Sequence, residues 1–212
     1  MKRLVILLFV LLSVGIGSGY ADKTDKNDLN FRKTNREHKT YLSAVGISAN
    51  SSGDIAIGFV DDYINVYDKY GNFKYSFAFN VEGRYLFEFD EQDDIMIFSV
   101  RDSAYYYFNS DAELIKTEKI SNSEESESYY TNHSSKRKVN NVDIDGINYS
   151  LKQVFGYIRL IKTDADGNET IIYETGLQYI VKVLIVLVIL AFAAIVICGL
   201  IKTISTEMKK YM

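Results

Sequence analysis

Oxygen-bearing side chains at alternate positions are the first candidates for chemistry in this chain. The stretch "TDADGNET" sets Asp164, Asp166 and Asn168 two apart, and "VDIDGIN" does the same with Asp143 and Asp145. Calcium loops begin this way. Here the glycine comes too early, and the twelfth position from Asp164 is Thr175 rather than a glutamate. The segment therefore predicts a turn, and no metal ligand is assigned. The two histidines, His38 and His133, both stand in polar segments. A metal site or a triad built on them is not expected. No Gly-x-Ser-x-Gly elbow, phosphate loop or His-Glu-x-x-His is present. Catalytic, cofactor-binding and metal residues are thus read as none. A small carboxylate-dependent surface enzyme stays open as an alternative, with Asp61, Asp62 and Asp90 as its acid–base groups. The cluster Asp90, Glu91, Asp93 and Asp94 reads as a solvated turn. The 17 tyrosines suit either a carbohydrate-binding surface or simple strand packing.

The elements that would position such groups are short strands. From residue 40 onward, runs rich in Val, Ile, Phe and Tyr follow at about ten-residue spacing. They are "YLSAVGIS", "DIAIGFV", "YINVYD", "FKYSFAF", "RYLFEFD", "DIMIFSV", "AYYYFN" and "ELIKTEKI". Several alternate, as Tyr85, Phe87 and Phe89 do against Leu86 and Glu88. Antiparallel strands joined by tight turns give this texture. In "YDKYGNF", Asp68 can cap backbone amides, Gly71 can take the left-handed conformation, and Asn72 completes the turn. The same turn is predicted at Asp164, Gly167 and Asn168, 96 positions later.

The runs repeat. Ile55, Ile57 and Val60 fall on Ile95, Ile97 and Val100 at an offset of 40. Tyr67, Asp68 and Phe73 fall on Phe108, Asn109 and Leu114 at 41. Four strands in about 40 residues is the period of a propeller blade. The turn segment resembles the outer hairpin of blades in NHL-type propellers. The whole chain resembles single-pass membrane proteins of low-GC Gram-positive bacteria. The expected fold is all-β: antiparallel meander sheets resembling about three propeller blades, with a β-sandwich as the alternative. A closed propeller usually needs four or more blades. Three sheets must therefore stack openly, be closed by another chain, or form a sandwich.

The ends of the chain are apolar. Lys2 and Arg3 precede the apolar run of residues 4–14, and Gly19 and Ala21 place small residues before Asp22. Residues 1–21 read as a signal peptide, with an uncleaved anchor as the other option. Residues 22–39 read as a polar, loosely attached arm. Residues 40–178 are the β-domain. Its Ser- and Glu-rich insertion, residues 121–139, reads as a solvated loop. Val183 to Ile201 is nineteen residues without a charge. As a helix it would reach about 28 Å, close to a hydrocarbon core. The predicted span is 179–201, with Tyr179, Lys182 and Lys202 at the interfaces. Residues 202–212, with Lys202, Lys209 and Lys210, form a basic cytoplasmic tail. Cys198 is the one cysteine and lies within the span, so no disulfide framework is expected outside.

Charge follows this layout. Residues 22–178 hold 27 acidic and 18 basic residues, a balance of −9, and the remainder carries +5. An acidic middle argues against nucleic acid as partner. The expected location is the cell membrane, single-pass, with the β-domain outside and the C-terminus in the cytoplasm. The expected role is a membrane-anchored extracytoplasmic binding or assembly module without a cofactor. Its expected partners are the membrane and a protein, or a second copy, met through an open sheet edge, with Tyr63 and Phe79 as edge positions. An accessory subunit of a larger membrane complex is the alternative.

Overall fold

A computed structural model describes residues 29–120, 123–137, 140–154 and 156–208. The signal-like segment 1–21, residues 22–28 of the arm and tail residues 209–212 lie outside these. Among the described residues, thirteen strands form three antiparallel sheets, as the all-β expectation required. The first sheet contains β1 (Arg32–Thr34), β2 (Ala44–Ala49), β3 (Ile55–Phe59), β4 (Tyr63–Tyr67) and β5 (Phe73–Ala78), in the order β1-β5-β4-β3-β2. The second is a meander of β6 (Tyr85–Phe89), β7 (Ile95–Ser99), β8 (Ala104–Phe108) and β9 (Leu114–Lys119). The third is a meander of β10 (Asn141–Ile144), β11 (Ile147–Val154), β12 (Tyr157–Thr163) and β13 (Glu169–Glu174). Helix α1 (Ser123–Arg137) lies between the second and third sheets in sequence, and α2 (Leu177–Met208) follows β13.

In space the first sheet is the middle layer. Successive strand residues point to opposite faces, so both parities of its strands must be apolar, and all five residues of β3, IAIGF, are buried. Ala56, Ile64, Val66 and Phe77 pack against Tyr85, Phe87, Ile97 and Tyr106 of the second sheet. Ile55, Ile57, Phe59 and Tyr67 pack against Tyr149, Leu151, Ile158, Leu160 and Tyr173 of the third. Gly58 lets the first two sheets approach, because a Cβ there would overlap the Phe87 ring. The sheets thus stack in the order third, first, second within this chain.

Two polar segments are ordered against expectation. The arm is not loose over residues 29–39. Leu29 and Phe31 are its apolar anchors: Leu29 is buried, and Phe31 stacks on Phe108 at 3.8 Å between centroids. Strand β1 follows and pairs with β5, Arg32 opposite Ala78 and Thr34 opposite Ser76. The insertion is not a loop over residues 123–137 but α1, with Glu124 and Glu125 in its first turn, where acidic groups favour a helix. Its Tyr130 joins Leu86, Met96 and Phe98 in a third apolar cluster on the outer face of the second sheet, with Tyr129 against it.

Candidate functional site

The strands end in two crowns of loops. At one end, five turns share one geometry: residues 50–54, 68–72, 90–94, 109–113 and 164–168. In each, the first residue's N–H donates to the carbonyl of the fifth, and the fourth residue's N–H donates to the carbonyl of the first. The first side chain then caps from within. Asp68 Oδ1 accepts from the N–H of Tyr70 at 2.9 Å and of Asn72 at 2.8 Å. Asp164 Oδ1 accepts from Asp166 and Asn168, and Asp90 Oδ1 from Gln92 and Asp94. Asn109 Oδ1 accepts from Asp111 and Glu113. The Asn168 amide and the neighbouring N–H groups hold the Asp164 carboxyl below its ordinary value. The fourth residue is left-handed throughout: Gly53 at φ 84°, Gly71 at 90°, Asp93 at 64°, Ala112 at 66° and Gly167 at 84°. The acidic cluster at residues 90–94 is therefore this turn with aspartate in the glycine's place, which aspartate tolerates better than most residues. The candidate calcium ligands Asp164 and Asn168 are spent on each other and on the turn backbone. Asp143 accepts from Asn148 Nδ2 at 2.8 Å.

At the opposite end, the arm brings His38 to the β3–β4 loop. His38 Nε2 lies 2.8 Å from Asp61 Oδ2, and Thr40 Oγ1 donates to the same oxygen at 3.0 Å. The imidazole stacks on Tyr63 at 3.8 Å. His38 N–H donates to Asn65 Oδ1, and Asn65 Nδ2 returns a bond to the His38 carbonyl. Burial works against ionised Asp61, but the hydrogen bonds and charge of His38 and the Thr40 hydroxyl outweigh it and hold its carboxyl low. Asp61 Oδ1 is buried without a hydrogen-bond partner. Its neighbour Asp62 moves the other way: burial and the Asp61 charge raise it to about 6, against a bond from the Val81 N–H. Tyr67 donates to Glu37 Oε1 at 2.6 Å, and burial followed by that acceptor pushes its phenol upward.

Sequence reasoning missed this cluster because His38 sits among charges, with no apolar neighbour to mark it as packed. Its spacing from Asp61, 23 residues, carries no local signal. The chemistry of the arrangement is that of a latch. The Thr40 hydroxyl is buried, directed at Asp61, and accepts the Leu42 N–H at 2.9 Å, so it offers no nucleophile to a substrate. The same segment reaches the third sheet: Thr40 N–H donates to Tyr173 Oη at 3.3 Å and Lys39 Nζ to the Glu174 carbonyl at 3.1 Å. The three carboxylates of the enzyme alternative do not converge. Asp61 and Asp62 follow β3, whereas Asp90 caps a turn in the other crown. His133 falls within α1. Among the described residues, no group of three or more His, Cys, Asp or Glu side chains gathers as a metal site would.

Helix α2 begins two residues after β13. Its stretch Leu177–Ile201, 25 residues, is long and apolar enough to cross a membrane, and none of Val183 to Ile201 is buried. Tyr179 meets the Tyr157 ring at 5.2 Å, and Lys182 Nζ donates to the Tyr41 carbonyl at 3.1 Å. Lys202 lies in the same continuous helix, past the end of that stretch.

No family model and no curated protein matches this chain. Among solved structures it is similar to virginiamycin B lyase from Staphylococcus aureus, determined in selenomethionine-substituted form, a protein of propeller type. The likeness has a TM-score of 0.31 and 11% identity, over 66% of this chain and 45% of that one. The chain thus spans less than half of that protein's length, and a likeness this slight carries no activity across.

Proposed function

We propose that the chain is a membrane-anchored, extracytoplasmic module that acts by binding or assembling with another macromolecule. The observation that carries this reading is an unequal treatment of sheet edges. The outer edge of the first sheet is covered by the chain's own β1. The outer edges β9 and β13 have no strand beside them among the described residues, and they expose Leu114, Ile115 and Ile171. Unpaired edges are either protected or used for pairing. The expected edge positions Tyr63 and Phe79 do not serve: Tyr63 belongs to β4, between β3 and β5, and Phe79 is buried. The edge partner is a protein or a second copy, and an accessory role in a larger membrane complex is the same reading with the span taking part.

The topology within this proposal has residues 1–21 as secretory signal, the β-domain outside and residues 202–212 in the cytoplasm, on the basic tail. Kinship with single-pass membrane proteins of low-GC Gram-positive bacteria is part of the same proposal. The test is photocrosslinking in intact cells from positions 115 and 171, with position 63 as control. Crosslinked species from the first two only is the expected result. Equal yields from all three, or none, defeats the edge reading. Topology is checked in a Cys198→Ala background. Ser110→Cys should react with a membrane-impermeant maleimide, and Ser205→Cys should react only after permeabilisation.

A further inference from the structure

We propose that the end of the β-domain around the start of α2 is a lipid-docking collar that seats the domain on the phospholipid bilayer. The inference rests on the membrane-anchored reading and adds to it a second, non-helical contact with lipid. Three segments far apart in sequence meet there. The loop after the arm exposes Tyr41 (54%) and Leu42 (48%). The β11–β12 hairpin exposes Val154 (61%) and brings Gly156 and Tyr157 alongside. The first turns of α2 expose Leu177 and Ile180. They are joined, not merely near. Lys182 Nζ donates to the Tyr41 carbonyl, Tyr157 and Tyr179 are in ring contact, and the Ala44 N–H donates to Gln153 Oε1 at 3.0 Å. Gly156 leaves room for the Lys182 amine, which a Cβ would meet at 2.6 Å.

The occupant is a bilayer because the patch is continuous with the apolar span. Lys182, bonded to the loop, stands one residue before Val183, where the uncharged stretch begins. The collar is therefore level with the border of the hydrocarbon. Its composition also fits that depth: three tyrosines, four aliphatic side chains and a lysine are what an interface accepts. Lys152 adds positive charge beside it, directly opposite Arg159, whose guanidinium is ion-paired with Glu174 at 3.5 Å. The opposite crown is acidic, with Asp68, Asp90, Asp93, Asp94, Asp111 and Asp164, and so is held away from lipid phosphates.

The experiment uses the full chain, which has no tryptophan, reconstituted into phosphatidylcholine and phosphatidylglycerol vesicles. Part of the phosphatidylcholine is brominated near the headgroup end of its acyl chains in one preparation, which reads positions 42, 154 and 115, and near their methyl ends in a second, which reads position 192. Single tryptophans are introduced as Leu42→Trp, Val154→Trp, Ile115→Trp and Phe192→Trp, all at exposed positions that the fold tolerates. Bromine quenching at positions 42 and 154 at least about threefold stronger than at position 115 is the expected result. Quenching at 192 alone, with 42 and 154 no stronger than 115, overturns the collar and leaves the span intact. Absence of quenching at 192 overturns the span itself, and the collar with it.

Discussion

The second and third sheets are both end layers of the same stack, yet their outward faces are finished differently. The second presents Leu86, Met96 and Phe98 outward, and α1 covers them with Tyr129 and Tyr130. Arg84 secures the helix, bonding Glu127 at 2.6 and 2.8 Å, while Ser126 donates to the Val100 carbonyl. The third sheet has no helix over its outward face among the described residues, and that face mixes polar pairs, Asn148 with Thr163 and Lys152 with Arg159, with Ser150–Ile161 and Val154–Tyr157. A four-stranded sheet can thus end a stack either by recruiting a helix or by interleaving polar pairs among its apolar ones.

The strongest way to break this comparison is to empty one face and leave the other. Phe98 is fully buried beneath α1. Phe98→Ala should cost about 3–5 kcal/mol, whereas Lys152→Ala, on the uncovered face, should stay within about 0.5 kcal/mol. Denaturant unfolding of the detergent-solubilised chain, followed by circular dichroism, measures both. Equal losses would mean that α1 is not a structural cover. Gly58→Ala probes the interface on the covered side of the stack. The new methyl runs into Phe87, and about 1–3 kcal/mol should be lost.

The turns sharpen the comparison at smaller scale. Gly71→Val and Gly167→Val should each cost about 1–2 kcal/mol, because a β-branched residue resists positive φ. Gly71→Val should be the worse, since a Cβ there meets Ile172 at 3.1 Å while the space at Gly167 is open. The smallest effect is a slope. Asp62 titrates at about 6 in the fold against an ordinary 3.8, so between those values the folded chain binds the extra proton. Its contribution to stability therefore declines as pH rises from about 4 to about 6. Asp61, held low, contributes the opposite slope, lost as pH falls below the ordinary range. Asp62→Asn should remove the first slope, read from unfolding midpoints across that interval, and leave the second, read below it.

The strands were legible because each needs an apolar side. All eight apolar runs from Tyr41 to Ile120 contain a strand, β2 to β9, and the 40-residue offset matches β3 with β7. Less legible were elements whose hold on the core is small. Strand β1 is three residues, two of them charged, and its anchors Leu29 and Phe31 precede it. Helix α1 buries Ser126 and Tyr130 beneath a surface of glutamates and serines, too few apolar positions to show a helical period. The spatial order of the sheets was hidden for another reason. A strand buried on both faces loses its alternation, and β3 shows only that it is internal, not which sheets flank it. The latch at His38 depends on contacts across 23 to 133 residues of chain, which no local pattern encodes.

That latch also sets how the molecule carries load. The arm is sheared against β5 through β1, bonded to β13 through Thr40 and Lys39, and β13 passes within two residues into α2. Tension applied at residue 29 and resisted at the helix runs along that line, through the first and third sheets. The second sheet is drawn in where Phe31 stacks on Phe108 and Lys33 meets Asp111, while α1 stands beside the path. A pull on the arm is thus carried to the anchor mainly through the first and third sheets, and it reaches the layer with the exposed β9 edge only through the contacts of Phe31 and Lys33.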